Sequence, residues 1–152
     1  MDVSFKFLLP SNTRFLAVVR ATIGELASVY GFTEQARCRL TLALDEALAN
    51  VIRHAYHGDP DGPIEVNCWV SGDRLEFTLL DQGDPPEPAR LAPHPLDDVA
   101  LSGRGTHIIR SIMDEVCYER VPAGNQVRLS KRLPAATAGP REEAAEKEGQ
   151  DI

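Results

Sequence analysis

The sequence has no long apolar run: nothing in its 152 residues approaches the roughly 18 consecutive apolar residues of a membrane-spanning helix. Its opening, MDVSFKFLLPSN, has neither the basic start nor the apolar stretch of a secretory signal. Cysteine is scarce. Cys38, Cys68 and Cys117 lie far apart with no CxxC pair, so the spacing suits buried, reduced thiols rather than a disulfide framework. Of four histidines, only His54 and His57 are close, and they make a weak metal pair. Positive charge is in deficit: the formal net charge is −7 and the pI about 5.1, which disfavours nonspecific nucleic-acid binding. These absences describe a cytoplasmic protein with no structural metal, no direct nucleic-acid contact and no membrane contact.

What is present suffices for one domain with a single core, since 43% of residues are hydrophobic and 26% charged. Val3, Phe5 and Phe7 alternate with polar residues and predict a first strand over 2–8. After Pro10, Ser11 is placed to cap a helix running to Tyr30, with Leu16, Val19, Ile23, Leu26 and Tyr30 as its core stripe and Gly31 as its stop. Thr33 can cap a second helix that ends before His57. Strands follow over 64–70 and 75–80, joined by the turn Ser71-Gly72-Asp73-Arg74. Five prolines between Asp84 and Asp98 mark a long irregular segment. A third helix is expected over 105–114, then strands over 116–121 and 126–133 around the turn PAGN. The order β-α-α-β-β-α-β-β predicts an α+β fold, a two-layer α/β sandwich with helices on one face of a mixed, mostly antiparallel sheet. The domain is assigned to 1–133. The remainder, 134–152, carries five acidic and two basic residues with no apolar periodicity and reads as a disordered acidic tail.

The second helix carries two stripes. Leu40, Leu44, Ala47, Leu48, Val51 and Ala55 form a core face, while Glu46, Asn50 and His54 recur every fourth residue along a polar edge. That edge is either a solvated surface, with Glu46 paired to Arg39 or Arg53, or a row of chemical groups. Glu46 could take a proton from a hydroxyl or water. Asn50 offers a neutral oxygen, enough for magnesium when phosphates and water complete the shell. Two further segments lie at element ends. Asp81, closing a buried strand in Asp81-Gln82-Gly83, is either a turn-forming aspartate or an acceptor for the exocyclic amino group of adenine, where guanine presents an oxygen. Gly103-Arg104-Gly105-Thr106 precedes a helix. There the backbone can come close to a ligand, free N–H groups favour phosphate, and Arg104 could add a fixed positive charge. Most Gly-x-Gly pairs are only turns.

Together, DEALANVIRHAY, LLDQGDP and GRGTHIIRSIMDEV resemble the ATP-binding fold shared by gyrase, histidine kinases and MutL. Within it they are most similar to the anti-sigma-factor serine/threonine kinases of bacterial partner-switching systems. The resemblance extends over nearly all of 1–133. It implies a Bergerat-type sandwich, Mg-ATP binding, and phosphorylation of a serine or threonine on a small anti-sigma-factor antagonist that competes with a sigma factor for the kinase. Carried across, Glu46 is the catalytic base and Asn50 the magnesium ligand. Asp81 reads adenine, Gly83 lies beneath the base, and Gly103, Arg104, Gly105 and Thr106 form the phosphate loop, with 84–102 as the lid. The partner surface falls on the first helix, around Arg14 and Arg20, and the residues neither demand nor exclude a homodimer.

Two departures from the family stand out. Pro85 occupies the second glycine position of the first box, where it offers no N–H. A small threonine expected near the adenine is replaced by Asn125 or Gln126. The rival reading is a non-catalytic partner-binding switch, which Pro85 favours. A histidine-kinase catalytic domain would need a phosphoacceptor helix pair for which 152 residues leave no room.

Overall fold

A computed structural model describes residues 4–88 and 104–135. Gly103, most of the expected lid and the expected tail from residue 136 onward lie outside the described residues. The elements are β1 (Ser4–Pro10), a 3-10 turn (Thr13–Phe15), α1 (Leu16–Val29), α2 (Glu34–Asn50) prolonged by a π turn (Val51–Ala55), β2 (Pro63–Ser71), β3 (Arg74–Asp81), α3 (Arg104–Ile112), β4 (Glu115–Val121) and β5 (Gly124–Arg132). The strands form a five-stranded sheet in the order β1-β2-β3-β5-β4.

Every described pairing is antiparallel, so the expected mixed sheet is corrected. The reason is topological. The crossover through α3 makes β4 run in the same direction as β3, but β5 inserts between them and no parallel pair forms.

Strand alternation builds the inner face in rows. Phe5, Cys68, Phe77, Leu129 and Val116 form one, and Phe7, Val66, Leu79, Val127 and Tyr118 the next. The third row changes character: Leu9 and Ile64 are followed by Asp81, Asn125 and Arg120. Asp81 therefore faces the core side of the sheet, which is why it is buried. Over this face pack Val19, Ile23 and Leu26 of α1, Leu40, Leu44, Ala47 and Leu48 of α2, and Ile109 and Ile112 of α3. These are the stripes that helical periodicity selects.

Several local expectations change. Ser11 does not cap a helix; its hydroxyl donates to the Asp59 carbonyl and accepts from Gly62 N–H, tying the 58–62 turn to the end of β1. Asn12 supplies the cap, accepting from Arg14 N–H at 3.0 Å. Thr33 caps α2 as expected, and Gly31 closes α1 with φ of 83°. Of the three cysteines only Cys68 is buried, and burial pushes its thiol up to about 12. Cys38 and Cys117 are exposed, Cys117 because it falls on the outer face of β4.

Gly124 has φ of 143°, and a β-carbon there would overlap the Asp81 carbonyl oxygen, part of the β3 backbone. Gly124→Ala is expected to cost more than about 2 kcal/mol in denaturant unfolding. Gly72→Ala serves as the control. Gly72 also has positive φ but nothing within 4 Å, and should cost only about 1 kcal/mol. Equal losses would show that backbone conformation alone, not the approach to Asp81, matters at Gly124.

Candidate nucleotide site

Helix α2 sets Glu46 and Asn50 one turn apart on an edge that stays half-open while the opposite face is buried. Of the two arginines considered as partners for Glu46, Arg53 is the one that approaches: its Nη2 lies 3.9 Å from Glu46 Oε2 and donates to Asn50 Oδ1 at 3.2 Å.

The first turn of α3 closes on the same edge. A β-carbon on Gly105 would sit 2.7 Å from Glu46 Oε2 and 3.5 and 3.6 Å from the Asn50 amide atoms. Glycine is thus the residue that lets the N-terminus of α3 approach a carboxylate and an amide together. Ile109 and Ile112, buried one and two turns further along the same face of α3, hold it there. Free N–H groups at such an N-terminus favour an anion. Arg104 and Thr106 flank Gly105 in this turn, Arg104 exposed and Thr106 half-buried.

The other end of the site is built on the polar row of the sheet. Asp81, 5% exposed, accepts at one oxygen from Asn125 Nδ2 at 2.7 Å and from Gly83 N–H at 2.9 Å. Burial raises its carboxyl above the usual range, and this outweighs the opposing pull of the Asn125 amide, the Gly83 N–H and the Arg120 guanidinium. Asn125, not Gln126, therefore stands beside Asp81. Gln126 points to the other face and donates to Glu119 Oε1 at 2.7 Å. The Asn125 amide also reaches the carbonyls of Gly83 (3.1 Å) and Asp84 (3.2 Å), while its oxygen accepts from Arg120.

A β-carbon on Gly83 would overlap the carbonyl of Ala55, the last residue of the π turn. Asp84 N–H donates to that same carbonyl at 3.0 Å. The segment carrying Asp81 and Gly83 is thereby fastened to the continuation of the helix that carries Glu46 and Asn50. Pro85 is exposed, and the N–H immediately before it is already spent on Ala55.

Four contributors escaped the sequence reading. The Tyr56 hydroxyl donates to the Pro63 carbonyl and accepts from Gln82 N–H at 2.8 Å, bracing the strand end. His57, with φ of 52°, bonds Asp84 across 2.7 Å. Arg120 and Gly124 complete the surroundings of Asp81. Only Gly124, inside PAGN, carried a local signal; the Tyr56 and Arg120 contacts depend on register.

For magnesium, the described residues include no group of three or more His, Cys, Asp or Glu side chains able to hold a metal. One amide oxygen beside a helix N-terminus fits an ion that takes most of its shell from phosphates and water.

Because the folded-state pKa of Asp81 is raised, its ionisation costs stability. That cost is absent below the unfolded-state pKa and complete above the folded one. Asp81→Asn keeps an acceptor for Asn125 and Gly83 while removing the charge. It is expected to melt higher than the parent at pH 7, with the gap closing toward about pH 4. A gap that is absent, reversed or independent of pH would contradict the raised pKa.

Known proteins share both fold and sequence with this chain. Residues 9–131 match the histidine kinase-like ATPase domain. Serine-protein kinase RsbW of Bacillus velezensis is 32% identical over 133 residues, covering 82% of each chain. The protein of the same name from Bacillus licheniformis is 30% identical over 132 residues, again covering 82% of each. Among solved structures, a Mycobacterium tuberculosis protein described by its RsbU and RsbW domains superposes with a TM-score of 0.63 at 19% identity. That match covers 86% of this chain and 32% of the longer one, and it speaks for the fold alone. No described helix is long and apolar enough to cross a membrane. The motifs, the antiparallel sandwich and these relatives agree: the chain belongs to the histidine kinase-like ATPase family, among its anti-sigma-factor serine kinases.

Proposed function

We propose that this protein is an ATP-dependent serine/threonine protein kinase and anti-sigma factor, and that Glu46, Asn50, Asp81 and the first turn of α3 carry its chemistry. The observation that supports this most is the packing of Gly105 on both Glu46 and Asn50. A proton acceptor, a metal-binding oxygen and an anion-favouring helix end meet within one side chain's reach.

Each residue then has a defined task. Asp81 accepts a hydrogen bond from the adenine amino group, and guanine would turn an oxygen toward a buried carboxylate. Gly83 leaves room beneath the base. Gly103, Arg104, Gly105 and Thr106 hold the phosphates, and Asn50 Oδ1 holds magnesium. The ion, when bound, neutralises charge on the transferring group. Glu46 takes the proton from the acceptor hydroxyl as its oxygen bonds the γ-phosphorus and the bond to the ADP oxygen breaks. The acceptor is a serine or threonine of an anti-sigma-factor antagonist, and a sigma factor competes for the same kinase. The exposed Phe15 and Val18 beside Arg14 on the first helical stretch support a protein partner there. Arg20 of that surface is held by Asp45 at 2.7 Å. The setting is cytoplasmic.

Glu46→Ala is expected to keep ATP binding while phosphotransfer to the antagonist falls about 10²–10⁴-fold, measured by label transfer from γ-labelled ATP. Unchanged transfer would remove Glu46 from the mechanism. Loss of ATP binding together with transfer would make it a structural residue.

A further inference from the structure

Arg53 lies in the π turn that prolongs α2 and has no part in the mechanism above. Its side chain is 58% exposed, yet its donors converge on the site. Nη2 donates to Asn50 Oδ1 at 3.2 Å, the oxygen assigned to magnesium, and lies 3.9 Å from Glu46 Oε2, the assigned base. Nε donates to the Ala49 carbonyl at 3.3 Å, a further contact that holds the guanidinium beside the helix end. One fixed positive charge thus engages the metal ligand and the base together.

These contacts oppose a bound divalent ion. Magnesium sits about 2 Å from its oxygen ligand and holds a rigid octahedral shell. A guanidinium still bonded to that oxygen would place two cation centres within about 5 Å of each other, where they repel. Binding of the ion is therefore favoured when the guanidinium moves away. Its exposure lets water receive it, and the flexible stem lets it swing without moving the helix.

We propose that Arg53 competes with magnesium for Asn50 Oδ1, so that loading with Mg-ATP displaces Arg53 and frees Glu46 to act. The inference rests on the reading of Asn50 as the metal ligand. Arg53 is then a positioning residue. Without metal it keeps Glu46 paired with a cation, and metal binding and release of the base become one event. Free ATP, lacking the divalent ion, would leave the pair in place, so the site distinguishes Mg-ATP from ATP before any acceptor arrives.

The test is ATP binding by calorimetry over a series of free magnesium concentrations, on the full chain, for the parent, Arg53→Gln and Arg53→Lys. Arg53→Gln is expected to reach half-saturation at about twofold to fivefold lower magnesium, the range a partly exposed ion pair commands. Its ATP affinity in EDTA should equal that of the parent. Arg53→Lys, which keeps the charge but loses the fork, should fall between the two. A magnesium dependence unchanged in Arg53→Gln would overturn the proposal. So would weaker ATP binding both with and without metal, which would make Arg53 a phosphate ligand. If the parent binds ATP with no magnesium dependence, the assignment of Asn50 fails and the competition with it. A parent that binds no ATP would instead overturn the nucleotide site as a whole. Thermal melts of the variants separate these outcomes from misfolding.

Discussion

The site depends on how closely backbone can approach backbone and side chain at its corners. The first turn of α3 can meet Glu46 and Asn50 because residue 105 has no side chain. The Asp81 segment can lie on the Ala55 carbonyl because residue 83 has none, and β5 can begin against β3 because residue 124 has none. A methyl group at 83 or 124 would meet backbone, which cannot rotate away. At 105 it would meet the end of the Glu46 side chain, which can. The constraint is therefore structural at two corners and chemical at the third. The helix that carries Glu46 and Asn50 takes part in two of the three: α2 directly at Gly105, and its π extension at Gly83.

The π turn links the two halves of the site. Tyr56 N–H bonds the Val51 carbonyl five residues back, and the Ala55 carbonyl is left to receive Asp84 N–H. This ties the end of β3 to α2 without a covalent link. Asp81 adds a cost. A carboxylate on the core face of a sheet is destabilised by burial, and the Asn125 amide, the Gly83 N–H and Arg120 offset only part of that. A group kept at such a cost in a half-polar row of an otherwise apolar sheet face is expected where an acceptor is needed for binding.

Much of this was legible in the sequence because it is periodic or local. Strand alternation from Ile64 to Leu80, the α1 and α2 core stripes, Thr33 as a cap and Gly31 as a stop need only neighbours within one element. The Glu46–Asn50 pair is one helical turn. What the sequence hid depends on register between distant segments. Asn125 meets Asp81 across 44 residues and Tyr56 meets Gln82 across 26, so no window could pair them. The choice between Asn125 and Gln126 turned on which face of β5 each occupies, and a one-residue shift reverses that. Ser11 was misread for the same reason: its partners, Asp59 and Gly62, belong to a turn some fifty residues away. The exposed Cys38 and Cys117 were misread because hydrophobicity alone does not say which side of an element faces water.

The central claim is that Asp81, at the end of β3, and Asn50, at the end of α2, define a single site for Mg-ATP. Calorimetric titration of the full chain with ATP, with and without magnesium and with GTP as the control, tests it most directly. The account predicts magnesium-dependent binding of ATP in the micromolar range, with GTP weaker by at least about tenfold. No binding at millimolar ATP, or equal binding of ATP and GTP, would contradict it.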